Sequence, residues 1–315
     1  MNKKITLTGA NIVFLIFTGI FILYQLLLAV ILRERLNDYI YAILLVNEFV
    51  MILGPVLIYC FVKKINIREA FRFNRPGLAP MILVVLISVP AYLVASMLNN
   101  VFVYFLQFIG DLPAQPLPVP KDLPELLVGI LVIGVSPGIC EEIMHRGFML
   151  RAYEKRGSYK AVIFVAIFFG IFHFDMTNFF GPVFLGLIIG YYVIRTNSIF
   201  AGMLAHFLNN AIAEGIQYIW GQGVQPEKLT LSGTELLQVL VLGAAGLVVA
   251  AVLLILFKKV TEGKSQIIPP ISSVKKDIRA IFSHWPIILV IAIYVLMMLF
   301  YIAAILATKY FNLKY

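Results

Sequence analysis

The sequence predicts an all-α polytopic membrane protein, with about eight or nine transmembrane helices around an intramembrane cavity. Three observations carry this expectation. Of 315 residues, 61% are hydrophobic and 13% charged, with a mean hydropathy of +0.95, whereas a soluble domain is about 45–50% apolar and about 25% charged. Nine apolar segments reach or approach the length that crosses a bilayer. Ionisable residues recur inside these segments, where lipid makes them costly and a partner or a wet cavity must repay them.

The segments are 12–32, 39–62, 80–109, 126–149, 161–175, 179–194, 198–220, 235–257 and 286–308. The first follows "MNKK" but is too long for a signal-peptide core and lacks a small-residue cleavage site, so it is expected to stay as a helix. The fifth and sixth are short, joined by "DMTN", and fit either two helices or one re-entrant pair. The long polar stretch 258–285 contains Pro269–Pro270, which breaks any helix, and reads as a basic linker to an appended last helix. The segment "NIREAFRF" fits an interfacial helix and a plain connecting loop equally well.

Net charge is +9. The basic residues gather in "KKINIREAFRFNRP", "RAYEKRGSYK" and the 258–285 linker, three loops that share one side if all nine segments span. The intervening loops are poor in cations. The positive-inside rule therefore puts the N-terminus in the cytoplasm, in a cell membrane, and gives the charge a lipid explanation with no nucleic-acid partner. Cys60 and Cys140 lie in apolar runs and form neither a disulfide framework nor a CxxC metal signature.

The polar residues within the segments are Glu48, Glu141, Glu142, His145, Arg146, His173, His206 and Glu214, with the amides Asn47, Asn99, Asn100, Asn209 and Asn210. In segment four, i,i+4 spacing pairs Glu142 with Arg146 and Glu141 with His145 on adjacent stripes. This suits a structural Glu142 beside a working Glu141, and equally a plain salt bridge at a helix end with Arg146 snorkelling. Pro137 cannot donate to the carbonyl of Ile133, so it frees that group. The resulting kink either opens space for water beside Glu141 or is ordinary packing. His206 and Asn210 project from one face of segment seven, as catalytic donors or as a polar helix contact. At 1.5 Å per residue, His173 lies about 20 Å, His206 about 12 Å and Glu141 about 13 Å from the cytoplasmic ends of their segments, so one cavity in the cytoplasmic half is allowed.

"EEIMHR" at 141–146 fits EExxxR, "FGIFH" at 169–173 fits FxxxH, and "HFLNN" at 206–210 fits HxxxN. In that order on three membrane helices, these resemble the CPBP family of intramembrane proteases, which includes CAAX-processing endopeptidases and many bacteriocin-related proteins. The resemblance covers 124–220 and implies a catalytic helical core there, flanked by transmembrane helices in 1–123 and 221–315. It implies hydrolysis of a peptide bond in a membrane-associated or lipidated peptide or membrane-protein substrate. Glu141 would be the general base, His173 would hold and activate water, His206 and Asn210 would stabilise the oxyanion, and Glu142 and Arg146 would support the site. A buried carboxylate as base and two donors on a rigid face as oxyanion site make physical sense.

The sequence fixes no cofactor, and zinc is one option. The family is often called metalloprotease, and Glu141, His173 and His206 could hold zinc, but there is no HExxH, and a metal-free glutamate mechanism explains the same residues. His145 departs from the family's usual aromatic residue, as a fourth ligand or a packing residue. Two other readings stand beside the protease: a proton-coupled transporter with Glu48 and Glu214 on its path, against which no inverted repeat is visible, and a non-catalytic scaffold or immunity protein. "GVSPG" at 134–138 matches GxSxG, but lies within an apolar helix rather than at a strand–helix elbow. The substrate, and whether it is prenylated, are not written in the sequence.

Overall fold

The computed structural model describes residues 4–114, 117–221, 223, 228–263 and 265–311, and they are almost wholly helical. In chain order the helices are α1 (Leu7–Ile31), α2 (Arg35–Lys63), α3 (Leu78–Leu106), α4 (Leu123–Arg156), α5 (Ser158–Phe172), α6 (Phe180–Thr196), α7 (Ile199–Gly221), α8 (Gly233–Val260), α9 (Val274–Phe282) and α10 (Trp285–Tyr310). Of these, α1 to α4, α8 and α10 are long and apolar enough to cross a membrane, and α5 and α6 are shorter apolar helices. α7 has the length but carries His206, Asn209, Asn210, Glu214 and Gln217. Together with α7, these helices account for the nine apolar segments.

The fifth and sixth segments form two separate antiparallel helices, packed closely because glycines face their partners. A methyl group added at Gly186 would lie 2.9 Å from the backbone of Ala166, and one at Gly190 would lie 2.9 Å from Val162. Such small-residue stripes let helices approach in lipid, where no hydrophobic effect drives them together. With 15 residues, α5 is only about 22 Å long, so its turn stops short of the far end of the longer helices. Asn99 of α3 clamps that turn: it donates to Asn178 at 2.8 Å and accepts from the Gly181 amide at 2.7 Å. Each such interhelical bond is worth about 1 kcal/mol in a membrane. Space is left beyond the turn, and a cavity occupies it.

At one end of the bundle the basic loops are tied together. Arg72 donates to both oxygens of Glu154 at 2.7 Å and to Asn197 at 2.9 Å. Arg156 binds Asp277 at 2.6 Å, and Lys160 binds the same carboxylate. Lys155 reaches the carbonyl of Ile5 at 3.0 Å. The 63–79 loop, the 154–158 turn and the 258–285 linker therefore share an end, as their charge predicts. The linker itself differs from the expectation. After Pro269–Pro270 the chain re-enters a helix, α9, capped by Ser273. Ile268 pairs with Ser158 through two hydrogen bonds, at 3.0 and 2.9 Å. Proline forbids helix before it but not three residues later, and the buried Asp277 anchors α9. The "NIREAFRF" segment makes only a single helical turn, Ile67–Ala70, capped by Asn66.

The other end carries a two-residue antiparallel pairing of Leu112–Pro113 with Lys228–Leu229. The side chain of Gln107 extends it, bonding both the N–H and the C=O of Leu231. Residues 115 and 116 of the loop at this end lie outside the described residues, as does residue 264 of the linker.

Candidate active site

α4 changes geometry along its length. Regular turns over Ser136–Glu142 lie between two π-helical stretches, Ile130–Val135 and Ile143–Met149. A third π stretch, Asn47–Ile52, interrupts α2. Such bulges insert a residue per turn and re-aim side chains, and here they flank the acidic residues of both helices.

Pro137 leaves the Ile133 carbonyl without its helical donor, and the Nδ2 of Asn210 fills the vacancy at 2.8 Å. The Oδ1 of Asn210 accepts from Asn209 at 3.0 Å. An amide nitrogen carries two hydrogens, so the second Nδ2 hydrogen is left for another acceptor. The kink expected at Pro137 is thus an anchoring point between α4 and α7. The GxSxG match lies in helix, as expected: Ser136 Oγ donates to the Leu131 carbonyl at 3.2 Å.

Glu142 and Arg146 form the expected i,i+4 pair at 2.6 Å, both fully buried. The same Glu142 oxygen also accepts from His206 Nδ1 at 2.9 Å. The guanidinium is held further by the Gly186 carbonyl at 3.4 Å and by the face of Phe169, 4.4 Å from its centre. Glu142 therefore orients the imidazole of His206, whose Nε2 points to Glu141 Oε2 at 3.9 Å.

The expected Glu141–His145 pairing does not form between side chains. His145 Nδ1 bonds the backbone carbonyl of Glu141 at 2.9 Å, and its ring packs edge-on against Phe169 and Phe172. The helix's π geometry turns the ring into the aromatic layer, so of its two readings His145 takes the packing one. His173 Nδ1 faces the Phe169 carbonyl at 2.7 Å. A carbonyl only accepts, so that nitrogen carries the proton and Nε2 presents a lone pair.

Glu141, His173, His206 and Asn210 all line one cavity of about 650 Å³. Glu48, Glu214, Asp175 and Asn178 line it too. The Glu48 carboxyl lies beside that of Glu141. Polarity in an apolar segment marked Glu48 and Glu214 in the sequence, but no motif tied them to this site. Asp175 and Asn178 went unmarked because they read as an ordinary loop. From these residues the cavity extends away from the basic loops. It reaches Asn100, Leu117 and Gln217, near the end away from the basic loops. The basic end is closed by the buried layer of Phe148, Phe168, Tyr153, Phe71 and the Arg72–Glu154 pair.

The trio named for zinc, Glu141, His173 and His206, lines this one cavity. Among the described residues no three His, Cys, Asp or Glu side chains group as metal ligands. The Nδ1 atoms of His173 and His206 are both engaged, with Phe169 and Glu142 respectively, so each ring offers only Nε2 to the cavity.

No curated protein and no solved structure matches the chain. Residues 123–212, which span α4 to α7 as far as Asn210 and two residues beyond, match the family described as Type II CAAX prenyl endopeptidase Rce1-like. Over this segment, the chain is similar to the CPBP and CAAX family of membrane-embedded proteases.

Proposed function

We propose that the protein is an intramembrane endopeptidase that hydrolyses a peptide bond with water activated by Glu141, and that residues 124–220 form its catalytic core. The convergence of Glu141, His173, His206 and Asn210 on one cavity carries this reading. A water donating one hydrogen bond to His173 Nε2 and one to Glu141 is oriented by two fixed acceptors. Glu141 takes the water's proton as the oxygen attacks the scissile carbonyl. The negative charge that develops on the carbonyl oxygen is met by His206 Nε2–H and the second amide hydrogen of Asn210, both preorganised. Glu142, which only accepts, requires hydrogen on His206 Nδ1, so His206 donates from Nε2 as the imidazolium, with Glu142 as counter-ion. Glu141 then returns the proton to the leaving amine.

A transporter reading has less support, because no inverted repeat is visible in the sequence. The test is cleavage of peptide substrates by purified protein in detergent. Glu141→Gln, nearly isosteric but unable to take the proton, should reduce cleavage to background with the fold intact. Asn210→Ala should retain activity lowered on the order of 100- to 1000-fold, as for other oxyanion donors. Full turnover by Glu141→Gln would falsify the glutamate-base mechanism.

A further inference from the structure

The cavity's polar lining is one-sided. Glu48, Glu141, Asp175 and Glu214 contribute four carboxyl groups, and no Lys or Arg among the described residues lines it. Its buried polar atoms without a protein partner are all oxygens: Asn47 Oδ1, Glu48 Oε2, Glu141 Oε2, Asn209 Oδ1 and Glu214 Oε2. Glu48 is 7% exposed and Glu214 1% exposed. Unpartnered acceptors at that depth are unfavourable unless an occupant supplies the donors. Their donor would have to come from whatever occupies the cavity.

Glu214 is built in. Its carboxyl packs against Gly129 of α4, where any side chain would collide with Oε2. It sits on α7 four residues past Asn210 and eight past His206, so it stands about 6 and 12 Å further from the basic end. A second cleft of about 650 Å³ continues in the same direction. It shares Leu117 with the cavity and adds Asp38, Tyr41 and Glu125, with Lys121 as its one cation among the described residues. Tyr41 lies within electrostatic range of both Glu214 and Glu125, which joins the two spaces.

Resting on the hydrolase reading, we propose that the substrate approaches from the end bearing the 107–122 connection. It would place a Lys or Arg side chain beside Glu214 and Glu48, within about four residues of the scissile bond at an extended 3.3 Å per residue. Ammonium and guanidinium groups bring only donors, which is what the orphaned oxygens lack. The selected substrate is therefore a basic peptide segment.

The experiment uses the full-length protein in detergent. Its probes are fluorescent Ala/Ser/Leu peptides that differ at one central residue, Lys, norleucine or Glu, with both ends blocked. Anisotropy reads binding and chromatography reads cleavage, so the two hypotheses fail separately. The Lys peptide should bind on the order of tenfold or more tighter than the norleucine peptide, as a charged hydrogen bond implies, and the Glu peptide weaker than both. Glu214→Gln should bring the Lys-to-norleucine ratio towards one. Gly129→Ala, which displaces the same carboxyl from α4, should do likewise and covers the case in which Glu214→Gln fails to fold. Equal binding of all three peptides, binding of none, or a ratio unmoved by both variants would overturn the inference. Charge-selective binding without cleavage would overturn the hydrolase reading and leave the charge selection standing.

Discussion

Glu142 serves two helices through one oxygen, accepting from Arg146 at 2.6 Å and from His206 at 2.9 Å. Removing its charge strands a guanidinium at a fully buried position, which typically costs about 3–5 kcal/mol. Glu142→Gln should therefore lower thermal stability in detergent and lose activity by misplacing His206. Differential scanning fluorimetry against wild type and Glu141→Gln checks this, and equal stability of the two variants would show that the carboxylates form one structural cluster. Pro137 allows a subtler test. Pro137→Ala restores an N–H that competes with Asn210 for the Ile133 carbonyl. Activity should fall on the order of tenfold through a loosened oxyanion donor, while thermal stability holds or rises. Activity unchanged in a well-folded Pro137→Ala would mean that Asn210 does not depend on that carbonyl. The Glu142–Arg146 pair and the Ile133 carbonyl freed by Pro137 were legible in the sequence, because both follow from helix periodicity. The partners of His206 and Asn210 across helices were not.

Among the elements, α9 and its linker give a pH prediction. Burial disfavours the charged Asp277, but hydrogen bonds from Lys160, Ser272 and Arg156 outweigh it, and hold the carboxyl down at about 2 against an ordinary 3.8. A depressed carboxyl stabilises the folded form above its unfolded value and loses that contribution as pH falls through the folded one. The docked linker should thus hold at pH above about 4 and release as pH drops towards about 2. Limited pepsin digestion across this range should cut within 258–285 only at the acid end. Asp277→Asn should make the linker digestible by trypsin at neutral pH. Protection of the variant equal to wild type would remove Asp277 as the anchor. The proline pair correctly marked a break at 269–270. The helix after it was hidden because its polar residues read as loop, and only docking on Arg156 and Lys160 makes their burial favourable.

At the scale of the whole molecule, the loops with most cations share one end through Arg72, Glu154, Arg156 and Asp277, and the cavity opens towards the other. From the charge rule we propose that this opening is extracytoplasmic. Cysteine introduced at Lys121 should react with a membrane-impermeant maleimide on intact cells, and cysteine at Lys275 only after lysis. Cys60 and Cys140 are buried, so background labelling should be low. The reverse pattern would put both the basic loops and the closed end outside.

The amino-acid sequence by itself determined that this chain is a bundle of apolar helices, which helices carry Glu141, His173, His206 and Asn210, and that its basic loops lie together. Those properties depend on span length, on the periodicity of one helix, and on charge counted loop by loop, so neighbours along the chain suffice. Tertiary structure alone decided that Glu48 of α2 meets Glu141 of α4, that His206 leans on Glu142, and that the space beyond the short α5–α6 turn becomes an acceptor-lined cavity. These depend on how closely glycine-faced helices approach and on how π turns re-aim side chains between helices far apart in sequence, and no local pattern encodes either.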